Sequence, residues 1–465
     1  MSYSGPNLDP TIAPAERPEM TSMGSETQAL HEGIDLEIRR SGHPSLHPEG
    51  RTVQTDLFGG PQIIAWQEAK GACTMLGEEC WSSLPQIYAR YGTEPGRELM
   101  RTVQTLEGAT GAVLTDCGMQ ASSIVFDVVL SPGSHAIISR QVYNKSKAYL
   151  TWVSERLNIS VTVVEHLTPE VLAEEALQNT TLVFAETYTN PLMRALDING
   201  LATEAERLKQ TSSPNLRLVI DNTIVTPWGV TSPILNHRGV DAVVAAGTKA
   251  MSGEDRDMWG YIASNRIALL NRAMDVQAMR GGALSWRSAE ALNTSLARAE
   301  ERFRRRCKSA EAVVEFLERH PGVSEVFHPT ATDYIDAKLF SEQYQLGGSL
   351  LSFRLHGLDE EETGHFCDVL ATTVVFRYSL SFDGLCSKVN HHRSVSEYYA
   401  PPPLLKKQGI DRLVRLAAGL ENPQDLIAAL NWALWNYAAL SKEEVREYQV
   451  TRIESLGLPL PPSLT

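Results

Sequence analysis

Between positions 112 and 263 the chain repeats one pattern: a short apolar run, a spacer of helical character, then another apolar run. The runs include Ala112-Val113-Leu114-Thr115, Ala136-Ile137-Ile138-Ser139, Val161-Thr162-Val163-Val164, Thr181-Leu182-Val183-Phe184-Ala185 and Gly260-Tyr261-Ile262-Ala263. Runs this short and this continuously apolar fit strands buried on both faces, and helical spacers return the chain for parallel pairing. The expectation is an α/β chain whose mainly parallel sheet is covered by helices in a large domain.

Two further runs end on residues that carry chemistry. Asn215-Leu216-Arg217-Leu218-Val219-Ile220-Asp221 ends on an acid, and Val240-Asp241-Ala242-Val243-Val244-Ala245-Ala246-Gly247-Thr248-Lys249 delivers a lysine into a small-residue turn. In open parallel sheets, ligands bind just beyond the carboxyl ends of the strands. A lysine held among apolar neighbours loses hydration of its ammonium, so its pKa falls and it becomes a usable amine. Together the two residues suit pyridoxal phosphate: the lysine forms an imine, and the carboxylate keeps the pyridine nitrogen protonated so that the ring accepts electrons. Taken singly, Lys249 reads as a solvated strand-exit lysine, and Asp221 equally as a helix cap. A third segment, Thr115-Asp116-Cys117-Gly118-Met119-Gln120, reads as strand, tight turn and helix N-terminus, where free backbone N–H groups accept a phosphate.

These and other blocks, in this order, resemble the Cys/Met-metabolism family of pyridoxal-phosphate enzymes, of fold type I, from about position 88 to 421. Tyr88-Ala89-Arg90-Tyr91-Gly92 is similar to the family's Tyr-x-Arg-x-Gly, and Leu106-Glu107-Gly108 to the block that follows it. Glu186-Thr187-Tyr188-Thr189-Asn190-Pro191 is similar to Glu-Thr-Pro-Ser/Thr-Asn-Pro, and Arg415-Leu416-Ala417-Ala418-Gly419-Leu420-Glu421 to Arg-Leu-Ser-Val-Gly-Leu-Glu. The resemblance implies that Lys249 is the Schiff-base residue, Asp221 the pyridinium partner, and Tyr143 a stacking and proton-transfer residue. Gly118, Met119, Thr223 and Thr248 fall at cofactor-binding positions. Asn190 would bond the cofactor's phenolic oxygen and border the substrate, which Arg415 and Ser379 would bind. Tyr88 and Arg90 would reach the cofactor phosphate of a neighbouring subunit, which implies a homodimer or homotetramer.

The departures from the family pattern gather around the substrate. Ala246 replaces a serine that helps hold the phosphate, at a cost of about 1.5 to 3 kcal/mol if nothing compensates. Ala250 and Tyr188 replace a common aromatic and a proline, and Glu254-Asp255-Arg256-Asp257 is unusually charged. The substrate loop survives only as Ser379-Leu380-Ser381-Phe382-Asp383-Gly384, in which Phe382 would narrow the site. Asn390-His391-His392-Arg393 adds a histidine and an arginine that could bind a substrate side chain or a second substrate, with a structural role favoured for the histidines. The implied activity is γ-replacement or γ-elimination on a homoserine-derived or sulfur-containing amino acid, with a specialised substrate. The alternatives are a carbon–sulfur lyase and a non-catalytic relative, although a scaffold needs none of Lys249, Asp221, Tyr143 or Arg415.

Composition sets the frame. The 465 residues carry a formal net charge of −14, which argues against bulk binding to nucleic acid or anionic membranes. The cysteines at 73, 80, 117, 307, 367 and 386 form no C-x-x-C pair and read as reduced, mostly buried thiols of a cytoplasmic protein with no metal site. No membrane span or signal peptide is expected. Residues 1–50 read as a flexible arm and 51–290 as the large cofactor domain. Residues 291–445 read as a connecting helix and a smaller α+β domain, and 446–465 as a tail. Glutamates at helical spacing mark Arg302, Arg304, Arg305 and Arg306 as a solvated, ion-paired face on a long helix within 285–318. Trp432 and Trp435 are assigned to core packing.

Overall fold

The computed structural model describes residues 21, 24–41, 88–398 and 400–462. Cys73, Cys80 and the first part of the expected large domain lie outside the described residues. The large sheet contains β1 (Gly111–Thr115), β2 (His135–Ser139), β3 (Ser160–Val164), β4 (Thr180–Glu186), β5 (Arg217–Asp221), β6 (Val240–Ala245) and β7 (Gly260–Ser264). They lie in the order β1-β7-β6-β5-β4-β2-β3, and all neighbours are parallel except that β7 runs antiparallel to both β1 and β6.

Alternation within each strand explains why the runs are apolar without a break. Leu182 and Phe184 of β4, Val219 of β5, and Ala242 and Val244 of β6 enter one core. Val183 and Ala185, Leu218 and Ile220, and Val243 and Ala245 enter the core on the opposite face. Successive side chains of a strand point to opposite faces, so a sheet covered on both sides needs both sets apolar.

A smaller antiparallel sheet is built from β8 (Val323–Phe327), β9 (Leu350–Leu355), β10 (Arg377–Tyr378), β11 (Lys388–His391) and β12 (Val414–Ala417), in the order β10-β11-β12-β9-β8. Only β10 and β11 pair in parallel. The helix Pro423–Asn436 packs Leu426, Leu430 and Leu434 into its core. Trp432 and Trp435 do not share that burial: they are 42% and 65% exposed.

Three elements differ from expectation. The long helix within 285–318 is two helices, Trp286–Leu296 and Ala299–Arg319. Its basic run is only partly solvated. Arg304 pairs with Glu300 at the surface, but Arg306 is fully buried, and Arg302 reaches the Ser252 carbonyl and Glu254. Burial of Phe303 and Cys307 on the inner face carries Arg306 inward with them. The helix Lys442–Ser455, capped by the reciprocal pair Ser441 and Glu444, runs across position 446, and a helix Ser25–Ser41 lies within the first fifty residues. Among the described residues no helix is long and apolar enough to cross a membrane.

Candidate active site

The sheet register sets the floor of the site. Glu186 pairs with Asp221 across β4 and β5, and Asp221 with Val244 of β6, so two carboxylates and the chain leading to Lys249 finish at one edge. There a cavity of about 370 Å³ opens toward the smaller domain. Lys249, Asp221, Tyr143, Gly118, Met119, Asn190, Thr223, Thr248 and Arg415 all line it. A larger groove, about 870 Å³, lies on the smaller domain between Val374, Trp432 and Tyr448, and holds none of these residues.

The lysine sits over Phe382, its Nζ 5.1 Å from the ring centroid and hydrogen-bonded to Ser381 Oγ. Burial lowers its pKa, with Lys388 and Arg415 adding to the effect and Asp383 opposing it. Asp221 Oδ1 accepts from the backbone N–H (2.9 Å) and hydroxyl of Thr223. Burial nonetheless pushes Asp221 up to about 6. Glu186 is raised more strongly, first by burial and then by the charge of Asp221, although its Oε1 accepts from the Tyr143 N–H at 2.6 Å. Two buried carboxylates side by side invite a positively charged partner.

The turn after β1 is shaped for an anion. The helix Gly118–Val129 begins in the cavity wall, which Cys117, Gly118 and Met119 line, so a helix N-terminus is presented there to an anion. A Cβ on Gly118 would lie 2.7 Å from Ala246 Cα and closer still to its Cβ, so only glycine lets the turn approach β6 this closely. Ala246 offers no hydroxyl, and its N–H donates to Thr223 Oγ1 at 2.9 Å. The Thr248 hydroxyl is engaged by the Trp259 backbone, accepting from its N–H at 2.8 Å and donating to its carbonyl at 3.1 Å.

Arg415 enters from β12 and is only 3% exposed. Its guanidinium donates to Asn190 Oδ1 (3.4 Å) and the Leu380 carbonyl (3.2 Å), and lies 5.6 Å from the Phe382 centroid. Among the described residues no carboxylate lies within ion-pair distance of it, and burial lowers its pKa to about 10. Phe382 therefore narrows the site as a ring shared by two cations. Tyr143, at the start of the helix Asn144–Leu157, is 45% exposed.

Ser379, Tyr88 and Arg90, expected at the site, stand apart from this cavity, and so does Tyr188. Ser379 does not line the cavity, because its hydroxyl accepts the Ser381 N–H at 3.1 Å; Ser381, two residues on, meets the lysine instead. Tyr88 and Arg90 stack on each other at 4.8 Å, outside the cavity of their own chain. Tyr188 is a core residue, stacked on Tyr344 at 4.9 Å. Glu186 and Glu397, given no role from sequence, also line the site, and so does His392, for which a structural role was favoured over substrate binding. Glu186 carried the same signal as Asp221, an apolar strand ending on an acid. Glu397 carried none, since it arrives from a different domain.

Known proteins match this chain over most of its length. The chain is 32% identical to a cystathionine beta-lyase of Staphylococcus haemolyticus over 418 residues, 89% of this chain and 95% of the relative. It is 28% identical to an L-methionine gamma-lyase of Fusobacterium nucleatum over 90% of this chain and 99% of the relative. The crystal structure of a cystathionine gamma synthase from Xanthomonas oryzae, in complex with cystathionine, shares the fold: TM-score 0.73, 23% identity, 88% of this chain and 98% of that one. The family model "Cys/Met metabolism PLP-dependent enzyme" matches residues 79–435, and the chain belongs to that family of pyridoxal-phosphate enzymes.

Proposed function

We propose that the protein catalyses γ-replacement or γ-elimination on a homoserine-derived or sulfur-containing amino acid. The observation that carries this reading is the meeting of Lys249, Asp221 and an Arg415 without an acidic partner in one cavity. The residues present fit the cofactor: a helix N-terminus and a glycine turn for its phosphate, a buried carboxylate for its ring nitrogen, and a lysine of lowered pKa for its carbonyl. When bound, pyridoxal phosphate supplies an electron-accepting ring next to the substrate's α-carbon.

Each residue then has a task. Lys249 would hold the cofactor at rest; freed by the incoming amino group, its amine would take the α-proton, hand that proton on, and as a free amine again take a β-proton, the step that distinguishes γ-chemistry. Burial lowers its pKa, which makes the ammonium a readier proton donor and the amine easier to free. Asp221 stays ionised opposite the ring nitrogen, a charge that offsets its burial. Arg415 takes the substrate carboxylate and so sets which α-bond faces Lys249. Tyr143, half-exposed at the mouth, would stack on the cofactor ring and assist proton transfer. Asn190 links Arg415 to the cofactor side of the cavity.

Tyr88 and Arg90, outside their own cavity, serve the phosphate of a second subunit, so the active form is a homodimer or a pair of dimers. The four described cysteines are unpaired, which favours the cytoplasm. A second reading, a carbon–sulfur lyase, is favoured by the lyase relative at 32% identity. Incubating holoenzyme with O-acetylhomoserine, cystathionine and methionine, with and without cysteine, separates the two. New cystathionine marks replacement, 2-oxobutanoate marks γ-elimination, and pyruvate from cystathionine marks the β-lyase. No turnover of any of the three sinks the proposal.

A further inference from the structure

We infer that His392 is a substrate-contacting residue, which donates a hydrogen bond to the carboxylate that Arg415 holds. The inference rests on the functional reading above. His391 and His392 are adjacent but face opposite ways. His391 ends β11, and both its ring nitrogens are occupied, Nδ1 by Ser394 Oγ and Nε2 by the Asp411 carbonyl, each at 2.8 Å. That ring is structural.

His392 extends the line of β11, and its N–H donates to the Leu413 carbonyl at 3.1 Å. Asn390 lies directly opposite Arg415 in the register, and His392, two residues on, opens the short helix His392–Val395 that follows the strand. His392 and Arg415 both line the cavity wall. His392 is 2% exposed, yet neither ring nitrogen has a hydrogen-bond partner among the described residues. A buried imidazole with two empty positions is costly unless a ligand fills them.

The surroundings select the ligand. Burial lowers the pKa of His392 first, and then the charges of Arg415, His391 and Lys147 lower it further; no acid opposes them. Glu397, also in the wall, feels the charges of Lys147 and Lys145. A neutral imidazole beside an arginine without an acidic partner presents one N–H and one full charge to the two oxygens of a carboxylate. Loss of such a hydrogen bond to a charged group weakens binding by about tenfold to a hundredfold.

The test uses holoenzyme and two ligands without a leaving group: L-2-aminobutanoate and propylamine, its decarboxylated counterpart. Their dissociation constants are read from the cofactor spectrum. In His392→Phe, binding of L-2-aminobutanoate weakens at least tenfold while propylamine is unchanged, and His392→Gln, which keeps a donor, recovers most of the loss. Equal weakening of both ligands, or an unchanged preference for L-2-aminobutanoate in His392→Phe, overturns the inference alone. A wild-type enzyme with no preference for the carboxylate-bearing ligand overturns the functional reading, and this inference with it.

Discussion

Gly118→Ala tests whether the close approach of the turn to β6 makes the phosphate site. The new Cβ would lie 2.7 Å from Ala246 Cα and 3.1 Å from Ala246 N. Carbon atoms in contact sit about 3.5–4.0 Å apart, so the helix N-terminus must retreat by roughly 1 Å. Forcing an extra methyl into a packed site costs about 1–3 kcal/mol. The larger consequence is local, because the same movement pulls the first N–H groups off the phosphate. A lost hydrogen bond to a charged group is worth about 1.5–3 kcal/mol, or roughly tenfold to a hundredfold in affinity. Titration of apoenzyme with pyridoxal phosphate, followed by absorbance, should show that loss in Gly118→Ala. Adding Ala246→Gly removes the nearest obstacle but leaves the clash with the backbone at that position, so rescue should be partial. Cofactor affinity within about twofold of wild type in Gly118→Ala would mean that the close approach does not shape the phosphate site.

Other perturbations follow from the buried acids and the lysine's neighbour. Asp221 is raised by burial, so its folded pKa exceeds its unfolded one, and its contribution to apoenzyme stability is lost as pH rises from about 4 through 6. Asp221→Asn apoenzyme should therefore equal or exceed wild type in stability at pH 8, by thermal unfolding, while holding the cofactor more weakly; lower stability at pH 8 would contradict this. Glu107, fully buried, accepts from Tyr261 Oη at 2.7 Å and Asn222 Nδ2 at 3.3 Å, leaves Oε2 unpartnered, and is pushed to about 7. That shift is on the order of 3 kcal/mol of stability lost between about pH 4.5 and 7, so denaturant unfolding of Glu107→Gln should show a flatter pH dependence over that window. Ser381→Ala removes the hydroxyl that meets Lys249 Nζ and should lower kcat by roughly tenfold with cofactor occupancy intact; an unchanged kcat would mean the contact plays no part in turnover.

The sequence made legible whatever depends on local pattern. Lys249 and Asp221 each close an apolar run, and in a parallel sheet such runs end at one edge, so their meeting could be argued from the chain alone. Glu186 obeyed the same rule. Residues from the smaller domain were harder, because no local pattern aims Arg415, Ser381 or His392 at a cavity across a domain junction. Arg306 shows the limit of charge patterning: its neighbours Arg304 and Glu300 are solvated, but one helical step turns Arg306 into the core, donating to the Ala250 carbonyl at 2.6 Å. The break between the helices ending at Leu296 and starting at Ala299 carries no glycine or proline to announce it. The helix Lys442–Ser455 had a readable capping box, but it buries little beyond Val445, so its apolar stripe was too thin to notice.

Chemical labelling of the Schiff-base lysine goes straight to the centre of the site. Holoenzyme reduced with borohydride fixes pyridoxal phosphate to the lysine that carries it, and peptide mass spectrometry then reads the position. The phosphopyridoxyl group should be found on Lys249, and no label should appear at that peptide in Lys249→Ala. A label on Lys147 or Lys388 in the wild-type protein, with Lys249 unmodified, would contradict the role assigned to Lys249.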